Sequence, residues 1–255
     1  LKPFGFLLLA CLLGACAGPN VSPTATTGQA DFKRRTDIRL ELATAYFTSG
    51  QAEIALQELD RALELSPRRA DVLGLRGLVL VQLGDSEGAG QSLRDALRIE
   101  PDNPSLQNNM GWFLCQNGDF DKAIVYFERA LSTKSYASPA KALVNAGLCR
   151  MRQGQRAQAE TFLRRALDAD PTNLPAHAAL ARLAYDRAEY IGARNHLLRV
   201  IDSEQVVAEN FLMAVLIERK LGDTAAEQSL LAQWRRRFPE SPQLSAYLRG
   251  ETDDK

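Results

Sequence analysis

Few side chains in this chain have types and spacing suited to chemistry: the cysteines Cys11, Cys16, Cys115 and Cys149, the histidines His177 and His196, and acidic pairs such as Asp168 and Asp170. A protein metal centre needs three or four imidazole, thiolate or carboxylate ligands brought together, and no His-Cys or His-carboxylate cluster here has that spacing. A Gly-rich phosphate loop and the sharp turn that exposes a nucleophilic serine are both missing. Asp168 and Asp170 fall at a helix end, where water solvates them. These observations predict no catalytic residues, no bound metal and no cofactor. They point to a protein that binds rather than one that converts a substrate. Lys plus Arg equals Asp plus Glu at 31 each, so nothing in the charge balance draws the chain to nucleic acid, whose recognition needs a concentrated basic face.

The N-terminal cysteines suggest a different chemistry. Lys2 precedes an apolar run from Phe4 to Leu13, followed by Gly14-Ala15-Cys16. That run is half of the roughly twenty residues a membrane span requires, and it has the form of a secretory signal. Leu13-Gly14-Ala15-Cys16 resembles the bacterial lipobox, in which cleavage precedes a cysteine that receives lipid. Cys11, after Leu8-Leu9-Ala10, is a rival match, but it would leave a very short apolar region. The expectation is a signal over 1–15 and a lipidated Cys16. Two acyl chains already anchor a protein stably, and a third would make attachment effectively permanent. Ala17, and not Asp, follows the cysteine, which favours the outer membrane, at its inner leaflet and facing the periplasm. Residues 17–29 are rich in Pro, Ser, Thr and Gly, and 16–35 reads as a lipidated residue on a flexible tether. Lys33-Arg34-Arg35, close to that anchor, reads as a solvated approach to the first helix.

From Thr36 onward the chain repeats. Gly50, Gly84, Gly118, Gly154 and Gly222 are spaced by 34, 34, 36 and 68 residues, with Ala188 at the middle of the last gap. Ala55, Ala89, Ala123, Ala159 and Ala193 follow five residues after these marks, and Ala62, Ala96, Ala130, Ala166 and Val200 seven further on. Pro67, Pro101, Pro171 and Pro239 close the pattern. A 34-residue period of this kind resembles the tetratricopeptide repeat. The glycine reverses the chain between two helices, the alanines allow close helix approach, and the proline ends the second helix. Leu59, Leu93, Phe127, Leu163, Leu197 and Leu231 are expected to fill each hairpin, with Gly77, Gly111 and Gly147 as close contacts in the first helices. The predicted fold is an all-α superhelix of about six helix-turn-helix repeats, over 36–69, 70–103, 104–139, 140–173, 174–207 and 208–241. A short capping helix and tail occupy 242–255, and two extra residues lengthen the loop around Ser135 to Pro139. Repeats five and six depart most from the pattern.

Cys115 and Cys149 lie at nearly the same level of adjacent first helices, which neighbour each other in such a stack. A Cα separation near 5.5 Å is then within reach, and an oxidising compartment favours the bond. Closing a loop of about 35 residues would contribute roughly 3.8 kcal/mol in the chain-entropy model. The alternative is a pair of buried thiols acting as small hydrophobes.

A curved stack of this type presents first helices on its concave face, where it can hold an extended segment or a helix. By register, the inward positions include Leu40, Thr44, Phe47, Leu78, Val81, Asn108, Trp112, Gln116, Val144, Leu148 and Met151. Trp112 is the strongest candidate anchor, because large aromatics dominate many interfaces. Asn109 and Asn145 recur one repeat apart and read as a structural column. Arg235, Arg236 and Arg237 suit the negative end of the last repeat's second helix. The chain reads as a monomer by itself.

One stretch is more specific than the repeat: Asn108-Asn109-Met110-Gly111-Trp112-Phe113-Leu114-Cys115, followed by the lengthened loop and Asn145-Ala146-Gly147-Leu148-Cys149. With the lipobox, tether and six repeats, it resembles the type IV pilus biogenesis lipoproteins of the PilF, PilW and Tgl family, and the PilW branch in particular. The resemblance implies a pilotin, a protein that localises or stabilises the secretin ring through which the pilus emerges, and so supports pilus assembly and twitching motility. It implies the secretin as partner and a membrane contact through the lipid. The other reading is an envelope adaptor that recruits peptidoglycan hydrolases or serves outer-membrane protein assembly.

Overall fold

The computed structural model describes residues 24–251 of the chain, with side chains from residue 30 onward. Six helical hairpins follow one another: α1 (Thr24–Thr48) with α2 (Ala52–Leu65), α3 (Ala70–Gln82) with α4 (Ser86–Ile99), and α5 (Pro104–Gln116) with α6 (Phe120–Ser132). Then come α7 (Pro139–Arg152) with α8 (Arg156–Ala169), α9 (Leu174–Asp186) with α10 (Tyr190–Ile201), and α11 (Ala208–Leu221) with α12 (Thr224–Arg237). A final short helix, α13 (Pro242–Leu248), lies against α11. No strand occurs among the described residues. The expected Cys16 lipidation site and the signal lie outside them.

The tether reading needs correction. It extended to Arg35, whereas α1 is already helical from Thr24. Polar composition favoured a loop there, but no proline stands between Pro23 and Pro67. Nothing therefore stops the helix from running back from Thr36, whose Oγ1 donates to the Phe32 carbonyl at 2.8 Å within the same helix.

Each hairpin turns at a residue in the left-handed region. Gly50, Gly84, Gly118, Gly154 and Gly222 have φ between 73° and 84°, and Ala188 takes the same conformation at 59°. At each turn a backbone N–H reaches back five positions, as from Asp85 to the Leu80 carbonyl (2.9 Å) and from Asp119 to the Leu114 carbonyl (2.9 Å). That bond satisfies a carbonyl which the ending helix leaves open.

Inside the hairpins Leu59, Leu93, Phe127, Leu163 and Leu197 are buried, between two alanine columns that are buried as well. In the sixth hairpin the arrangement shifts: Leu231 is half-buried, and Trp234 is fully enclosed where earlier repeats carry Ala or Val. Among the described residues α13 stands where a further hairpin would stack, and the indole packs on its Tyr247, with ring centroids 5.9 Å apart. Arg237 holds this end together. It donates to the carbonyls of Ile201 (3.0 Å) and Ser203 (2.9 Å), past the C-terminal end of α10, and lies over the Phe211 ring. Among the described residues the opposite end has no such cover. Ile38, Leu42 and Ala45 are exposed on α1, whereas Val72 and Val79 at the positions of Ile38 and Ala45 in the next repeat are buried under the preceding hairpin.

First helices touch their successors all along the stack: α1 with α3, α3 with α5, α5 with α7, α7 with α9 and α9 with α11. Elements that meet in series like this lie on the inside of a curve. The inner face is therefore built from the helices that carry the predicted groove residues.

Candidate partner-binding cleft

A break in that inner face lies between α5 and α7. It is a cleft of about 340 Å³ lined by Trp112, Cys115 and Gln116 from α5 and by Asn145, Leu148, Cys149, Met151 and Arg152 from α7. Helical geometry explains the set: residues separated by three, four and seven positions share one face, as do 145, 148, 149 and 152. Cys115 and Cys149 form the floor. Both are buried, and they are joined as a disulfide pair with Cα atoms 5.8 Å apart.

Close helix packing puts the cysteines at this distance. A Cβ built on Gly111 would stand 2.8 Å from the Phe127 ring, and one on Gly147 would stand 2.7 Å from Leu163 Cγ. Only glycine lets α5 and α7 sit this tightly on their second helices. The core beneath contains Phe127, Leu143, Val144, Phe162 and Leu163, with Trp112 and Met151 packed against it from the cleft side.

Of the predicted groove residues, Trp112, Gln116, Leu148 and Met151 come together here. Asn108 and Val144 do not line the groove; both are buried, because the side of the helix they occupy packs against neighbouring helices. Leu40 and Phe47 are half-buried against the core of the first hairpin, and Val81 packs against the core of the second and third. Leu78 is half-buried on α3. Thr44 is exposed and returns its hydroxyl to the Leu40 carbonyl at 2.7 Å.

Two lining residues lay beyond the sequence reading. Asn145, expected to be structural, lines the cleft while its Nδ2 donates to Asn108 Oδ1 at 3.0 Å. Buried Asn108 thereby orients an amide at the cleft edge. Arg152 is exposed, and its Nη1 donates to Gln116 Oε1 at 2.7 Å across the cleft. Its signal was its spacing, four residues after Leu148 on the same helical face.

The two histidines, distant from this cleft in sequence, meet each other. His177 Nδ1 and His196 Nδ1 are 3.0 Å apart, and His177 Nε2 lies 3.1 Å from the Pro171 carbonyl, to which it donates. Burial, followed by His177, Arg164 and Arg199, holds His196 below its ordinary 6.5, and Glu160 opposes the shift. Among the described residues no three His, Cys, Asp or Glu side chains are grouped to hold a metal ion. Asp170 is a turn former: its carboxylate accepts from Thr172 Oγ1 and N and from Asn173 Nδ2, and these bonds keep it below the usual carboxylate range.

Profiles of the tetratricopeptide repeat match residues 40–104 and 110–173, and further ones match 150–214 and 93–125. The chain belongs to the tetratricopeptide-repeat family. It is homologous to the type IV pilus assembly protein PilF of Pseudomonas aeruginosa, with 25% identity over 236 residues, 92% of this chain and 93% of that one. Among solved structures it resembles PilW, described as a widely conserved type IV pilus biogenesis factor, at 30% identity and a TM-score of 0.72, covering 84% of this chain and 98% of that one. The Pseudomonas aeruginosa PilF structure superposes with a TM-score of 0.70 at 22% identity, a likeness of fold, over 86% of this chain and 99% of that one. Two of the proteins that resemble this chain over most of its length, PilF and PilW, are type IV pilus biogenesis proteins.

Proposed function

We propose that this protein is a lipid-anchored scaffold of the outer membrane that holds a subunit of the type IV pilus secretin. In this role it promotes the ring's localisation, assembly or stability, and with it twitching motility. The observation that carries the reading is the near-complete overlap with PilF, 93% of that protein's length. The cleft between α5 and α7 supplies the docking surface. Trp112 offers a large side chain over a rigid disulfide floor, and such anchors carry much of the energy of many interfaces. Cys16 bears the acyl chains and keeps the stack at the inner leaflet, facing the periplasm. A shared membrane raises the effective concentration of the two partners without any added contact. No chemistry is required of the scaffold beyond binding.

The test is co-purification of the secretin from cell envelopes with the wild-type protein and with Trp112→Ala. Loss of the secretin with an unchanged helical circular dichroism spectrum supports the cleft. Equal recovery sinks it. Labelling with radioactive palmitate, in wild type and Cys16→Ser, tests the anchor separately.

A further inference from the structure

We infer that the cleft between α5 and α7 selects an extended protein segment in which a large apolar side chain stands next to a carboxylate. The inference rests on reading this cleft as the docking surface, and it names what docks there.

Charge is the first argument. Among the eight lining residues, Arg152 alone carries a formal charge. Its guanidinium meets a neutral amide oxygen on Gln116 at 2.7 Å. Arg150, two positions earlier on the same helix, is instead held by Asp121 at 2.8 Å. The cleft therefore presents a cation whose partner across the gap is neutral, and no acidic residue lines it. An incoming carboxylate would replace a neutral acceptor by an ionised one, and charge-assisted bonds to Arg are the stronger kind.

The second argument is the division between apolar and amide groups. Trp112 and Met151 are half-buried, and Leu148 is 39% exposed, so one large side chain can cover all three. Met adapts to the shape of what it meets. Around this apolar patch stand two amides whose bonds are half used. Asn145 spends an N–H on Asn108, which leaves its oxygen for a ligand, and Gln116 spends its oxygen on Arg152, which leaves its NH₂. The two amides stand about two helical turns apart along the cleft, at the levels of Asn108 and Arg152, so an acceptor toward one end and a donor toward the other suit the backbone N–H and C=O groups of an extended segment running between them. A cleft of about 340 Å³ has room for one large side chain and its adjoining backbone.

The protein carries its own reporter. Trp234 is fully buried, so ligand-induced changes in tryptophan emission come from Trp112. Four end-capped octapeptides that differ only at their two central residues are titrated into the full chain: Phe-Asp, Phe-Asn, Phe-Lys and Ala-Asp. Phe-Asp should bind about two- to fivefold more tightly than Phe-Asn, the range of a solvent-exposed ion pair. Phe-Lys should bind less tightly than Phe-Asn, and Ala-Asp should give no signal. In Arg152→Gln the preference for Asp over Asn should vanish. Phe-Lys binding as tightly as Phe-Asp, a preference that survives in Arg152→Gln, or no binding by any of the four would overturn the inference. Secretin binding that depends on Trp112, with no charge ranking among the peptides, would defeat this inference and leave the proposed function standing. A charge ranking without that dependence would uphold the cleft's selectivity and remove the secretin as its occupant.

Discussion

Gly111 and Phe127 are packed so closely that a methyl group on the glycine would stand 2.8 Å from the ring. The same relationship links Gly77 to Leu93 and Gly147 to Leu163. In these three hairpins the first helix gives up a side chain where the second supplies a large one. The cleft depends on this, because α5 carries Trp112 one residue beyond the contact.

Gly111→Ala should therefore destabilise the fold by about 1–3 kcal/mol, the usual cost of overpacking a filled core. Chemical denaturation followed by circular dichroism measures it. Equal stability of Gly111→Ala and wild type would contradict the packing.

Ala188→Gly should act in the opposite direction. Ala188 is the one non-glycine with positive φ among the described residues, at the turn where five repeats carry glycine. An L-residue in that region is strained by about 1–2 kcal/mol, partly offset by glycine's greater freedom in the unfolded chain. The expected gain is about 1 kcal/mol, read as a higher denaturation midpoint.

The histidine pair predicts a pH dependence. His196 has its folded pKa lowered below 6.5 by burial and by the cations around it. As pH falls below that value the unfolded chain takes up the proton first, so stability is retained above 6.5 and lost progressively on acidification. Repeat four has Leu143 and Phe162 where repeat five has His177 and His196. His177→Leu/His196→Phe should flatten the fall in midpoint between pH 7 and pH 5. An unchanged slope would mean that other groups control it.

Cys115 and Cys149 should appear as a bond in the purified body under non-reducing conditions, lighter by two hydrogens than the reduced protein. Reduction, or the double serine variant, should lower stability by about 2–4 kcal/mol without abolishing helicity. Two alkylatable thiols in the unreduced protein would rule the bond out.

Much of this molecule is legible in the sequence because repeats are local. A 34-residue unit folds against its immediate neighbours, so turn glycines, alanine columns and hairpin fillers such as Leu93 and Phe127 declare themselves by spacing alone. The same register set Cys115 beside Cys149 and placed Trp112, Gln116, Leu148 and Met151 on a common face. What spacing could not decide was which face positions remain open. Asn108 and Val144 share the register of groove residues and are nonetheless buried, because the angle at which one hairpin sits on the next determines what the adjacent helix covers. That angle comes from the summed packing of many side chains, and no periodicity records it. The meeting of His177 with His196, the bond from Arg152 to Gln116 and the enclosure of Trp234 by α13 arise in the same way, from contacts between helices that only the tertiary structure brings together.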